Sequence, residues 1–299
     1  MLRFGLFGTG HWATVAHGAA LATHPGARLA GVWGRDPAKA EALARRHDAP
    51  AFADVDALID AVDAVAVALP PDVQAEIAVH AARAGRHLLL DKPLALTVDD
   101  ADAVVAAARE AGVASIVFFT RRFLPPIAGF LAATAATGGW HGAQASILAS
   151  IYQPGNPYED SGWRRSHGGL WDLGPHALSM LVPVLGPVRQ VAAMNAPRQT
   201  THLLLGHDGG AASTVSLTLD SPPAATFSDV VFHGEQGRAA VPQGRWDPTE
   251  ALGLALDQLL EQVHTGSRDH ECDVRFGRDV VAVLAAAETA MAQGRTVTL

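Results

Sequence analysis

Apolar residues follow two different rhythms along this chain, and the change falls near residue 123. From residue 2 to 122, short apolar runs alternate with longer stretches in which apolar residues recur at helical spacing. Leu2 to Phe7, Arg28 to Trp33, Asp63 to Leu69, Leu88-Leu89-Leu90 and Ala114 to Thr120 read as strands, and the valine-rich ones have the character of a parallel sheet. Between them, helices are expected from Gly10 to about Leu21, from Asp36-Pro37 onward, over Asp72 to Ala84 with Gly85 as C-cap, and from Thr97 to Gly112. Asp36-Pro37 is an N-cap followed by proline at the first helical position, and Thr97 and Asp100 have the spacing of a capping box. Regular alternation of strand and helix predicts a doubly wound α/β domain over residues 1–122.

After Arg122-Phe123 the rhythm changes. Pro125-Pro126 is expected as a crossover, followed by a short helix from about Ile127 to Ala136 that ends at Gly138-Gly139. Gln144 to Tyr152, Val188 to Asn195, His202 to Gly206, Ala212 to Asp220 and Ser228 to Phe232 read as strands, with His207-Asp208-Gly209-Gly210 as a hairpin turn. Val215, Leu217 and Leu219 alternate with Thr214, Ser216 and Thr218, so one face is apolar and the other polar. Helices over about Thr249 to His264 and Val274 to Met291 finish the chain. Residues 123–299 are therefore expected as an α+β domain with a largely antiparallel open sheet, helices on one side and a free face suited to contact between copies.

Three places carry candidate chemistry in the first domain. Gly8-Thr9-Gly10-His11-Trp12-Ala13 is a G-x-G-x-x-A pattern between strand and helix, in which Gly8 permits a tight turn, Gly10 admits a pyrophosphate and Ala13 allows close packing. At the end of the second strand, Trp33-Gly34-Arg35-Asp36 puts glycine where an acid would take the ribose hydroxyls of NAD. Arg35 is then placed for the 2′-phosphate of NADP; the bland alternative is a solvated arginine beside an Asp36 that only caps its helix. Directly after the three leucines, Asp91-Lys92-Pro93 stands where an inner parallel strand runs out into a ligand crevice, which makes Lys92 a candidate catalytic residue.

The second half carries one block of chemistry, from Trp163 to His176. Asp172 and His176 are four residues apart and share a face if this is the first turn of a helix, where Pro175 would be tolerated; Pro183 should kink or end that helix before Gly186. Gly168-Gly169 allow ligand or backbone to come close. The alternative is a helix-capping aspartate and a polar histidine at a domain boundary.

Gly8-Thr9-Gly10, Val65 to Pro70, Ala84-Gly85-Arg86-His87 before Asp91-Lys92-Pro93, Arg122-Phe123, and Trp163-Arg164, Gly168-Gly169, Asp172, Gly174 and His176 together resemble the glucose-fructose oxidoreductase, inositol dehydrogenase and MocA family. Asp91 replaces a more usual glutamate, Asp72 and Gln74 stand where asparagine and histidine are frequent, and Ser179 replaces a frequent aspartate. The resemblance implies that Lys92 acts at the substrate hydroxyl with a cis bond to Pro93, that Asp172 holds the reacting hydroxyl, and that His176 is the general acid/base. The expected dinucleotide site comprises Gly8, Thr9, Gly10, His11, Trp12, Gly34, Arg35, Leu69, Pro70, Asp91, Lys92, Pro93 and Arg122. Substrate contacts are expected from Lys92, Tyr152, Trp163, Arg164, Asp172 and His176. The activity implied is NAD(P)-dependent transfer of a hydride to or from a hydroxyl or carbonyl of a sugar, polyol or related compound, with NADP ahead of NAD. A nonenzymatic dinucleotide sensor on the same fold is the competing reading.

Bulk properties narrow the partners. A formal charge of −8 without a basic run speaks against nucleic acid, and no stretch has the length and apolarity of a membrane span. The N-terminal apolar run is too short for a signal peptide, and the single cysteine, Cys272, excludes an internal disulfide and a cysteine-based zinc site, so the cytoplasm is expected. The 14 histidines are scattered without ligand spacing, so no metal site is expected. The partners expected are a small-molecule substrate and further copies of the chain, as a homodimer or homotetramer.

Overall fold

The computed structural model describes all 299 residues, in two compact units. The first comprises residues 1–124 and 246–279, the second residues 125–245 and 280–299. The sequence expectation placed everything after residue 122 in one domain; in the structure the chain returns to the first unit for residues 246–279.

The first unit holds a six-stranded sheet in the order β3-β2-β1-β4-β5-β6, all neighbours parallel. Its strands are β1 (Leu2–Phe7), β2 (Ala27–Trp33), β3 (Ala51–Phe52), β4 (Ala64–Val67), β5 (His87–Asp91) and β6 (Ser115–Phe118). Apolar side chains on both faces explain the continuous runs: Ala64 to Val67 and Leu88 to Leu90 are wholly buried. The crossovers carry α1 (Ala19–Thr23), α2 (Pro37–Arg46), α3 (Val55–Asp60), α4 (Pro71–Arg83) and α5 (Val98–Ala111). A π-helical turn, Ala13–Gly18, leads from the glycine loop into α1. Asp36, Asp54 and Thr97 cap α2, α3 and α5 with their side chains, and Gly112 closes α5 in the left-handed conformation. The strand order reverses between β1 and β4, the place where a doubly wound sheet opens a crevice at its strand ends.

Pro125-Pro126 is no crossover loop. It forms the first turn of α6 (Pro125–Thr137), where proline's missing N–H has no helical partner to lose. The second unit then builds a seven-stranded sheet in the order β12-β11-β7-β10-β9-β8-β13. Its strands are β7 (Trp140–Leu148), β8 (Val188–Ala196), β9 (Thr200–His207), β10 (Ala212–Thr218), β11 (Phe227–Gly234), β12 (Gly237–Ala240) and β13 (Val297–Thr298). Only β7 and β10 pair in parallel; the other neighbours are antiparallel. Strand β7 starts and ends earlier than expected, leaving Ser150 as a lone bridge to Asp220. The long helix α7 (Gly162–Leu185) lies against β7, β9 and β10. Helix α8 (Pro248–Thr265) belongs to the first unit, and α9 (Val274–Gln293) begins there and ends in the second. Val215, Leu217 and Leu219 are buried under helices as the alternation predicted, while Leu204 and Met194 stay exposed.

Candidate active site

Around the first candidate site, glycine is required by contact. Gly8 has φ of 132°, and a Cβ there would stand 2.4 Å from the Ala68 carbonyl oxygen of the neighbouring strand end. Gly10 differs: nothing lies within 4 Å of where its Cβ would be, so backbone N–H groups at the start of the helix are open to a ligand. Thr9 is half-buried and His11 exposed, while the Trp12 indole Nε1 is buried without a hydrogen-bond partner. Gly34 is forced by packing, because a Cβ would come within 2.5 Å of the Thr9 methyl carbon. A larger residue there requires the Thr9 side chain to turn away, and Arg35 stands exposed beside it. Asp36 spends one carboxylate oxygen on the amides of Ala38 and Lys39, which is the capping role allowed for in the bland reading. Leu69 and Pro70 are half-exposed after a fully buried strand. Arg122 is buried and paired with Glu271 at 2.6 Å.

The turn after β5 is built around Gln74, a residue whose role the sequence left in doubt. Buried in the first turn of α4, its Nε2 donates to the carbonyls of Asp91 (2.7 Å), Pro93 (3.0 Å) and Leu94 (3.3 Å), and its Oε1 accepts from the Asp91 amide (2.9 Å). Asp91 Oδ1 accepts from the Lys92 amide at 2.7 Å, and the Lys92–Pro93 bond is cis. Lys92 is left half-exposed above buried Pro93, Leu94 and Ala95. Facing Asp91 from the helix after the glycine loop is His17, whose Nε2 is 3.9 Å from Asp91 Oδ2. It is wholly buried, neither ring nitrogen has a hydrogen-bond partner, and desolvation pushes its pKa down to about 3. Sequence reading passed over it; a histidine on the apolar face of a core helix was the available signal.

The second candidate site lies on α7, which breaks at Gly168, where φ is 63° and ψ −160°. That conformation is open to glycine alone, whereas Gly169 is needed for proximity: its Cβ would lie 2.9 Å from the Thr218 Cα of β10. From Gly169 to Leu181 the helix is buried except for His176, which stays partly accessible. Asp172, one turn earlier, is buried and accepts from Arg164 Nε at 3.0 Å. The Arg164 guanidinium lies between two rings, 4.4 Å from the Tyr158 centroid and 4.6 Å from that of Trp163, and donates from Nη1 to Ser161 Oγ at 3.3 Å. Tyr152 is covered by Arg165 at 4.7 Å; its hydroxyl is buried without a partner, and burial raises its pKa. Ser179 donates to the His176 carbonyl at 2.9 Å. Pro175 is not in the first turn: it sits seven residues past the break, inside the helix, and removes a donor from the segment between Asp172 and His176.

Two glycine-bounded sites with this order of residues match one family of known proteins along most of the chain. The model of the GFO/IDH/MocA oxidoreductase family, NAD-binding Rossmann fold, matches residues 2–119, and that of the GFO/IDH/MocA C-terminal domain matches residues 131–240. The chain belongs to the GFO/IDH/MocA oxidoreductase family. Relatives of this GFO/IDH/MocA protein include dTDP-3,4-didehydro-2,6-dideoxy-alpha-D-glucose 3-reductase of Streptomyces antibioticus, 28% identical over 79% of this chain and 74% of that one. D-xylose 1-dehydrogenase (NADP(+)) 2 of Haloferax volcanii is 26% identical over 97% and 99%. Three further curated relatives align over 35% to 53% of their own length. Among solved structures, GenD2 from gentamicin A biosynthesis in complex with NAD is similar in fold, with a TM-score of 0.86 and 24% identity over 100% of this chain and 96% of that one. No helix of the chain is long and apolar enough to cross a membrane.

Proposed function

We propose that this GFO/IDH/MocA protein is a cytoplasmic, NADP-preferring dehydrogenase or reductase acting on a hydroxyl or carbonyl of a sugar, polyol or related small carbonyl compound. Lys92, Asp172 and His176 are its catalytic residues. The observation that carries this reading is the accessibility of His176 within the otherwise buried stretch Gly169 to Leu181, one turn from a buried carboxylate. A core helix has no packing reason to keep an imidazole there. The sugar-directed names of the Streptomyces and Haloferax relatives support a carbohydrate substrate.

The residues around Gly10 fit a dinucleotide: an open cradle at a helix start, with Thr9, His11, Trp12, Leu69, Pro70 and Arg122 as further contacts and Asp91 and Pro93 shaping the turn that carries Lys92. Bound there, the nicotinamide supplies the acceptor or donor of hydride. When an alcohol is oxidised, an imidazole nitrogen of His176 takes the hydroxyl proton. Asp172 accepts a hydrogen bond from the substrate, and the Lys92 ammonium stabilises negative charge on the oxygen as the proton leaves. Reduction runs the same transfers backwards, with the imidazolium returning the proton. Imidazole suits this work because its ordinary pKa lies near neutrality.

Absorbance of reduced nicotinamide, followed across a panel of sugars, polyols and their carbonyl derivatives, tests the reading. Lys92→Ala is expected to lose turnover by about 100- to 10,000-fold while NADPH binding persists. Unimpaired turnover would sink the assignment. Arg35→Ala should weaken NADPH by about 10- to 100-fold, the worth of a charge-assisted bond, and leave NADH affinity alone. The open sheet face around Met194 and Leu204 is the proposed contact of a homodimer or homotetramer, checked by sedimentation.

A further inference from the structure

We infer that Arg164 is a positioning residue for Asp172, locked in place by the Tyr158 and Trp163 rings, and that the Gly168 break exists to let the two meet. This rests on the reading of Asp172 as catalytic.

Residues eight apart on an unbroken α-helix are separated by about 12 Å along the axis, beyond direct side-chain contact. Arg164 and Asp172 are eight apart, yet Nε and Oδ2 are 3.0 Å from one another. The turn at Gly168 between them redirects the first segment of α7 so that the guanidinium folds back onto the second. Both side chains are largely withdrawn from water, at 17% and 10% exposure, so the pair interacts with little screening. Two aromatic faces and the Ser161 hydroxyl fix the guanidinium from other directions. A group held on so many sides suits a fixed support better than an adaptable substrate ligand.

The support has two chemical effects. It keeps the carboxylate ionised inside the fold, so that Asp172 accepts a hydrogen bond and leaves proton transfer to His176. It also holds one oxygen, Oδ2, at a fixed angle, which orients the other. The pair shares its neighbourhood with other charged and titratable groups: Tyr152 feels Arg165 and Asp220 as well as Arg164 and Asp172, and His176 follows Asp172 by one turn.

The test is a double-mutant cycle on the full-length protein with bound dinucleotide and the best substrate of the panel. Arg164→Gln should lower kcat by about tenfold or more and move the acid limb of the kcat/KM profile upward by about one unit, the size of a lost Arg–Asp pairing. Arg164→Lys should restore part of that limb. Added to Asp172→Asn, Arg164→Gln should cost nothing further, because it acts through the carboxylate. Thermal melting checks that each variant folds, and a variant that does not is replaced by Arg164→Lys in the same cycle. A change in KM alone, an unmoved acid limb or additive losses in the cycle would overturn the inference while leaving Asp172 catalytic. Full activity of Asp172→Asn would instead remove the reading beneath it.

Discussion

Two side chains proposed for the same reaction are held by opposite means. The turn carrying Lys92 is stapled by the neutral amide of Gln74, which makes four short-range bonds to backbone groups, and even the histidine facing Asp91 is uncharged at ordinary pH. Asp172 is held by a full charge, the Arg164 guanidinium, set between aromatic rings. The Gln74 amide acts on the backbone of that turn, where the Asp91 carboxylate also accepts from the Lys92 amide. A buried carboxylate needs a cation to remain ionised. The difference teaches that one support fixes the backbone of a turn, while the other fixes the charged side chain itself.

The largest expected effect comes from the neutral side. Gln74→Leu leaves three carbonyls and one amide without their side-chain partner and should cost on the order of 3–5 kcal/mol, read by urea unfolding. Once corrected for folded fraction, the acid limb of activity should stay in place, because no charge has been removed. Movement of that limb would erase the contrast between the two supports.

On the charged side, Gly168→Ala meets only Gln199 Oε1 at 3.9 Å but a glycine-only backbone conformation, and should cost about 1–3 kcal/mol. It should also move the pH profile in the direction expected for Arg164→Gln, since the break is what brings the pair together. Gly162→Ala, where no conformational demand exists, is the control and should be close to neutral. Equal behaviour of the two alanines would break the link between backbone and ion pair.

The effect with the narrowest pH window concerns His17. Its folded pKa of about 3 lies below the ordinary 6.5, so its contribution is fully present above pH 6.5 and is lost as pH falls towards 3. Between pH 6.5 and 5 the wild type should lose about 2 kcal/mol more than His17→Leu in unfolding experiments. Identical pH slopes would mean that the imidazole is not held neutral against Asp91.

Much of the fold was legible because it obeys local rules. The buried runs Ala64 to Val67 and Leu88 to Leu90, the Asp36 and Thr97 caps and the left-handed Gly112 are all short-range signals. The Pro125-Pro126 pair misled because the same dipeptide that breaks a helix also begins one, and the context that decides lies in the following residues. Pro175 misled for a related reason: its place depends on the break at Gly168, and two adjacent glycines do not say which of them turns the chain. Return of residues 246–279 to the first unit depends on long-range packing, such as Arg122 on Glu271, that no window of sequence displays. Within the candidate sites, Lys92, Asp172 and His176 stood out by residue type and spacing. Gln74 did not, since its partners lie 17 to 20 residues away and three of them are backbone oxygens. Arg164 could be named, but its partner could not, because eight residues is no contact distance on an ordinary helix.

Rapid mixing of the NADPH-bound protein with the best carbonyl substrate, in the wild type and in His176→Ala, bears most directly on the proposed chemistry. The wild type should consume reduced nicotinamide in a fast first turnover. His176→Ala should bind NADPH with the same affinity and be slowed by about 100-fold or more. A first turnover in His176→Ala as fast as in the wild type would contradict the assignment of the proton transfer to this histidine.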